Sequence, residues 1–283
     1  MNKNPTLSAV RQAFERHRLR QDCIQVCQIL VQLTVHLQQH RGTTLAILGG
    51  DDFFEPRLAA IKKHIVEDLQ LLQKQRKQMI DEMTWQNLCS EWFTVNHHWR
   101  QDTALQNFEL HTHLIQQLLK LFKGFYNSPL FEHLDTLHQP IAKLSLTELP
   151  EFLETAAQIR GIGTHELAAS TMDAYFNDRL KFLCRYFTRS IQHIEQAYDL
   201  EDAIHAGSQW MEICNAWEKT VASLAAIGEK KPGSIPADQF FSETSHIIYY
   251  IQQCMKLGLK RLNNATDQAI KHWIEGGSYH TAT

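Results

Sequence analysis

The sequence predicts an all-α protein, arranged as two four-helix bundles built from an internal repeat of long antiparallel helices. Three observations carry this. Apolar residues recur at three- and four-residue steps through most of the 283 residues, the periodicity of an amphipathic helix. The strict alternation of a half-buried strand is almost absent. The interruptions fall at clusters of Gly, Pro, Asn, Asp and Ser, which punctuate helices rather than sheets.

Taken in order, helices are expected at 6–19, 21–48, 53–81, 84–100, 103–124, 129–144, 148–170, 173–198, 201–228 and 237–275. The second carries the stripe Cys23, Val26, Cys27, Leu30, Leu33 and Leu37. Gly49-Gly50-Asp51-Asp52 ends it, and the third helix follows with Ile61, Ile65, Leu69 and Leu72 on one face. Asn127-Ser128-Pro129 and Thr147-Glu148-Leu149-Pro150 mark later breaks, with Pro150 suited to the first turn of a helix. Leu149, Leu153 and Ala156 open the next stripe, and Leu183, Phe187, Ile191 and Ile194 the one after. Gly228 suits a helix C-terminus, and the segment from it to Pro236 separates the last two helices. The whole of 1–283 is read as one unit, with approximate halves 1–127 and 128–283. Two separate bundles, or two long helices running through both halves, satisfy the pattern equally.

Composition narrows the function classes. Hydrophobic residues make up 43% of the chain, enough for a core without staples. A net charge of −3 with dispersed basic residues gives no nucleic-acid-binding face. The cluster Lys74-Gln75-Arg76-Lys77 and the pair at 230–231 read as solvated helix surface. No stretch approaches a membrane span, and the polar start has no signal-peptide core, so a cytoplasmic location is expected. The six cysteines have no CxxC spacing and read as buried free thiols.

Two helical stripes carry an arginine where a hydrophobic residue is due, each followed at once by glycine: Arg41-Gly42 and Arg160-Gly161. A buried arginine keeps its proton and requires a carboxylate or a bound oxyanion that fits its planar fork. The surrounding segments form a repeat. Phe53-Phe54-Glu55-Pro56-Arg57-Leu58 follows the first arginine and Tyr175-Phe176-Asn177-Asp178-Arg179-Leu180 the second, with a three-residue insertion in the second turn. Arg57 and Arg179 lie at the stripe edges and are expected to snorkel to solvent or to pair with Glu55 and Asp178. A salt bridge to a neighbouring helix satisfies Arg41 or Arg160 as a purely structural role. Against that stand the few acids on the apolar stripes, the room left by Gly42 and Gly161, and the hydroxyls at Thr43, Thr44 and Thr164. Two converging guanidinium groups repel unless an anion lies between them, and a small planar oxyanion such as nitrate, nitrite or a carboxylate fits best. No Walker-type loop points to a phosphate.

Other chemistry finds little support. Glu243-Thr244-Ser245-His246 has Glu-x-x-His spacing but no second copy, as a di-iron bundle needs. Asp135 with His138, Asp202 with His205, His97-His98 and His111-Thr112-His113 are weaker still. No metal site, no cofactor and no hydrolytic motif are expected.

The paired Arg-Gly helices resemble the nitrate- and nitrite-sensing (NIT) domain of bacterial receptors, chemoreceptors and a transcription antiterminator. Residues 235–247, with an aromatic followed by Thr244 and then Ile247, resemble that family's closing helix. The resemblance spans about residues 21–270. It implies two helical bundles and a ligand site lined by arginines that map onto Arg41 and Arg160, with Thr44, Thr164 or Thr244 donating to a remaining oxygen. It also implies a domain that binds nitrate or nitrite and signals by helix repacking, without catalysis. Few residues follow Gly277, so output is expected through a separate protein partner or a symmetric homodimer, with neither nucleic acid nor membrane involved. The alternative is a helical protein-interaction scaffold whose arginines are structural.

Overall fold

A computed structural model of the chain describes residues 7–132, 134–169, 173–228 and 235–274. Residues 1–6, the pair at 230–231 and the tail after 277 lie outside it. Among the described residues there is no strand: the elements are α1 (Leu7–Leu48), α2 (Glu55–Gln75), α3 (Glu82–His98), α4 (Ala104–Tyr126), α5 (His138–Lys143), α6 (Leu149–Ala168), α7 (Ala174–Ala197), α8 (Leu200–Ile204), α9 (Gly207–Gly228) and α10 (Ala237–Ile274). The all-α expectation holds.

Four boundaries differ from the sequence reading. The helix expected at 201–228 is two, α8 and α9, broken at His205, whose φ of 55° is left-handed. The other three have these local reasons. The helices expected at 6–19 and 21–48 are one helix, α1, because Leu19-Arg20-Gln21 contains no breaker. The helix expected from 129 begins only at His138. Asp135 caps it, accepting from the backbone N–H groups of Leu137 and His138. The stop expected before Pro150 is no stop: α5 runs into α6 through a single π-helical turn, Leu144–Glu148. There the Leu149 N–H donates to the Leu144 carbonyl, five residues back. Widening the turn lets the chain pass a proline without breaking.

The other ends follow capping chemistry. Gly50, at φ 98°, turns the chain after α1, a conformation that glycine adopts without a Cβ penalty. Asp51 then accepts from the Phe53 N–H to start the next turn. Thr103 and Gln106 form a reciprocal capping box on α4, which satisfies two of its free N–H groups. Asp173 caps α7.

In the first half α1 packs against α2 and α4, and α3 against α4; in the second α6 packs against α7 and α10, and α10 against α9. A three-helix seam joins them, since α1 also packs on both α6 and α10. Directions follow from the contacts. Thr44 meets Asn107 while His40 meets His111, so α1 and α4 are antiparallel. Gln38 meets Glu154 while Leu45 meets His165, so α1 and α6 run parallel. The two Arg-Gly helices therefore lie side by side in the same sense.

Aromatic stacking fills the second half, with Phe152 on Phe187 at 4.1 Å and Trp217 beside Phe187 at 4.4 Å. Trp85, Trp92 and Phe122 are buried in the first. Of the six cysteines, Cys23, Cys27 and Cys254 are buried and the other three half-buried, all as free thiols.

Candidate anion-binding site

The site lies where α1 and α6 touch. A Cβ placed on Gly161 would sit 3.9 Å from the Gly42 Cα, and one placed on Gly42 only 3.1 Å from the Phe241 ring. Glycine at position 42 lets the Phe241 ring approach the backbone closely, where a Cβ would force the ring to give way, while at Gly161 a Cβ would meet only ordinary contacts. The arginines beside them are among the most completely buried large side chains of the protein, Arg41 at 0% and Arg160 at 1% exposure.

Their environments differ in one respect that decides the chemistry. Arg41 places Nη1 2.6 Å from Glu154 Oε1 and Nη2 3.1 Å from Oε2, a bidentate fork. Its Nη1 also donates to the Thr112 hydroxyl at 3.0 Å. Glu154 is saturated, since Gln38 and Gln158 donate to its two oxygens as well, at 2.9 and 2.8 Å. Arg179 in turn donates to the Gln158 carbonyl oxygen at 3.0 Å. Such a pair is stable because the remaining lone pairs of the carboxylate are met.

Arg160 has no such partner. Its Nη1 donates to the Ser245 hydroxyl at 3.0 Å and its guanidinium stacks over Phe241 at 4.6 Å. Nε and Nη2, the two donors along one edge of the guanidinium, have no acceptor among the described residues. Burial first, and then the neighbouring Arg41 charge, push its pKa down to about 9, with Glu154 opposing the shift. It is still a cation at neutral pH, held at a cost on the order of several kcal/mol. Arg41, Arg160 and Glu154, all buried, together leave one positive charge.

The three threonines expected to line the site are all buried. Thr164 donates to the Arg160 carbonyl and Thr244 to that of Phe240, each at 2.7 Å. Thr44 lies 2.9 Å from both the His40 carbonyl and Asn107 Oδ1. A hydroxyl has one proton, so Thr164 and Thr244 commit theirs to their own helices and offer lone pairs only. The hydroxyl on Arg160 is that of Ser245, the neighbour of Thr244, whose own proton goes to the Phe241 carbonyl at 2.6 Å.

The edge arginines take other partners than Glu55 and Asp178. Arg57 lies over Phe53 and Phe54 at 4.9 and 5.0 Å, while Glu55 pairs with Arg100. Arg179 bonds Gln158, as above. The sequence reading missed Glu154, a buried acid six residues before Arg160 on the same helix. The signal was present: from Phe152 to Glu166 every residue of α6 is buried, and Glu154 and Gln158 stand one turn apart on a single face.

A polar layer continues from Arg41 to its neighbour His40. His111 Nδ1 lies 2.7 Å from the Asn107 carbonyl, and its Nε2 lies 2.7 Å from His40 Nδ1. A carbonyl only accepts, so His111 donates through Nδ1 and accepts from His40. His111 is therefore neutral, and among the described residues His40 Nε2 faces no partner. Burial is the main cause that pushes His111 down to about 3, Arg41 adding to it, and that lowers His40 well below its ordinary value. Both groups bind protons more readily in the unfolded chain, so their contribution to stability is complete above the unfolded value of about 6.5 and is lost as pH falls toward 3. Between pH 7 and pH 5, His111 alone is expected to remove about 2 kcal/mol, with a loss of the same sign from His40. Urea unfolding at the two pH values measures this; equal midpoints would contradict neutral burial.

Elsewhere, no three His, Cys, Asp or Glu side chains converge among the described residues in a way that holds a metal. No described helix is long and apolar enough to cross a membrane. Two open clefts lie away from the arginines, one of about 670 Å³ around Tyr198 and Trp210 and one of about 570 Å³ between Gln28, Asp68 and Lys256.

No family model matches this chain, and no curated protein matches it. Among solved structures it is similar to the NasR transcription antiterminator, with a TM-score of 0.75 over 94% of this chain and 74% of that one. At 14% identity the likeness is one of fold.

Proposed function

We propose that this chain is a sensor domain that binds nitrate or nitrite in its interior and performs no chemistry. The observation that carries the reading is Arg160, a buried cation whose Nε–H and Nη2–H edge has no acceptor among the described residues. That edge presents two parallel donors to two oxygens of one planar anion. The fold shared with an antiterminator, and the resemblance of the Arg-Gly helices to the NIT family, favour a regulator over an enzyme.

In the proposed mechanism the anion bridges the Arg160 edge, beside Arg41, whose Nε also has no acceptor among the described residues. Lone pairs of Thr164 and Thr244 hold no attraction for it, so selectivity rests on the guanidinium donors. Binding draws α6 and α10 toward α1, because Arg160, Ser245 and Gly42 meet at one point. The long helices α1 and α10 carry the shift to a separate protein partner or to a second copy of the chain, in a cytoplasmic setting without nucleic acid or membrane.

Thermal unfolding with sodium nitrate against sodium chloride tests the reading. At a nitrate concentration 100 times its dissociation constant, stability is expected to rise by about 2.7 kcal/mol. No difference between the two salts at millimolar concentration would exclude it. The scaffold reading draws support from the Arg41–Glu154 pair alone, and predicts that null result.

A further inference from the structure

The two arginines are related by more than their local motif. Arg41 donates to a hydroxyl on Thr112 and lies over the Phe108 ring at 5.4 Å; Arg160 donates to Ser245 and lies over Phe241 at 4.6 Å. In each case the hydroxyl stands four residues after the ring. Phe108 then packs edge-on against Phe176 of the second half, and Phe241 against Phe54 of the first. Phe54 and Phe176 occupy the same place in the repeated aromatic-aromatic-x-x-Arg-Leu segment. Beneath them lie Ala46 and His165, and the 119 residues that separate these two also separate Arg41 from Arg160 and Gly42 from Gly161. The halves thus exchange equivalent contacts about the parallel α1–α6 pair.

Glu154 breaks this equivalence. It reaches from α6 across to Arg41, and the position 119 residues earlier, from which a carboxylate would reach back from α1 to Arg160, holds Val35, buried at 6% exposure. We infer that Glu154 is a tethered carboxylate filling the anion seat on Arg41, and that Val35, by withholding its counterpart, leaves Arg160 as a single seat for one monovalent anion. This rests on the sensor reading and adds the number and charge of the ligand. With one net positive charge in the cluster, a monoanion neutralises the interior, whereas sulfate or hydrogen phosphate as a dianion leaves an excess negative charge buried, which is costly. Val35 is on this view the position that keeps the site open, and Glu154 the one that makes it selective.

The full chain and the variants Val35→Glu, Val35→Gln and Glu154→Gln separate the possibilities, with nitrate and sulfate titrated by calorimetry. The parent protein is expected to take one nitrate and no sulfate. Val35→Glu supplies its own ligand, so its nitrate affinity falls by about 100-fold or more, while the neutral Val35→Gln stays within about tenfold of the parent. In nitrate-free buffer of low ionic strength, Val35→Glu melts above Val35→Gln. Glu154→Gln vacates the Arg41 seat and is expected to take either two nitrates or one sulfate. Equal nitrate binding by the two Val35 variants overturns the inference, as does a Glu154→Gln protein that still takes one nitrate and refuses sulfate. The second arm decides if Val35→Glu does not fold. Should the parent bind no nitrate, the sensor reading fails, and the melting order of the Val35 variants alone judges the pairing: Glu above Gln upholds it, the reverse or equality ends it.

Discussion

Replacing Glu154 with alanine is expected to lower the stability of the ligand-free protein by about 3–5 kcal/mol, the usual penalty for stripping one partner from a buried ion pair. Arg41 would lose the carboxylate that both its Nη groups meet, keeping only the Thr112 hydroxyl on Nη1, and Gln38 and Gln158 would each lose one acceptor. Arg160 would lose the one nearby charge that favours its cationic form. Two buried guanidinium groups would then repel with no carboxylate beside Arg41. Chemical denaturation in buffer of low ionic strength reads the loss, and added nitrate is expected to recover part of it by occupying the vacated fork. A decrease smaller than about 1 kcal/mol, typical of an exposed pair, would show that the Arg41–Glu154 bridge is not buried as described.

The sequence revealed the fold class and the two unusual arginines because both leave local marks: a period near 3.6, and a cation inside an apolar stripe. It did not reveal the continuity of α1, since helix length here depends on the absence of a breaker. Nor did it show the passage of α5 into α6, where one widened turn absorbs Pro150. The partners of the arginines were less legible still. Arg41 meets a carboxylate 113 residues away, and α1 and α6 run parallel, so no spacing along the chain anticipates the pair. The threonines beside the arginines drew notice for their proximity in sequence, but a helical Thr readily returns its proton to the carbonyl one turn back. Ser245, one residue beyond Thr244, is the hydroxyl that meets Arg160, and a single step along a helix turns a side chain by about 100°. The repeat was read only for its arginines and aromatics: set against Val35, its equivalent 119 residues earlier, Glu154 places an acid where the first half has an apolar residue.

At Arg160 the opposite sign is expected. Methionine there keeps an unbranched apolar chain and can place its sulfur against Phe241, a favourable contact, while removing a charge with no carboxylate partner. Substituting buried ionic groups by packed apolar ones is often neutral or stabilising by about 1–4 kcal/mol, so Arg160→Met is expected to raise the unfolding free energy of the ligand-free protein. Ser245 loses only a donor to its oxygen, since its own proton remains on the Phe241 carbonyl. The same variant should show no difference between nitrate and chloride in thermal unfolding, which separates a seat for the ligand from a structural strut: a strut would destabilise the fold when removed. Combining it with Glu154→Ala should yield less than the sum of the two separate effects on Arg41, because the second cation that Arg41 would otherwise face is gone. A coupling of about 0.5–3 kcal/mol is the range for residues in one network. Strict additivity in that double-mutant cycle would mean that the two guanidinium groups do not sense each other, and the single-seat arrangement would lose its electrostatic basis.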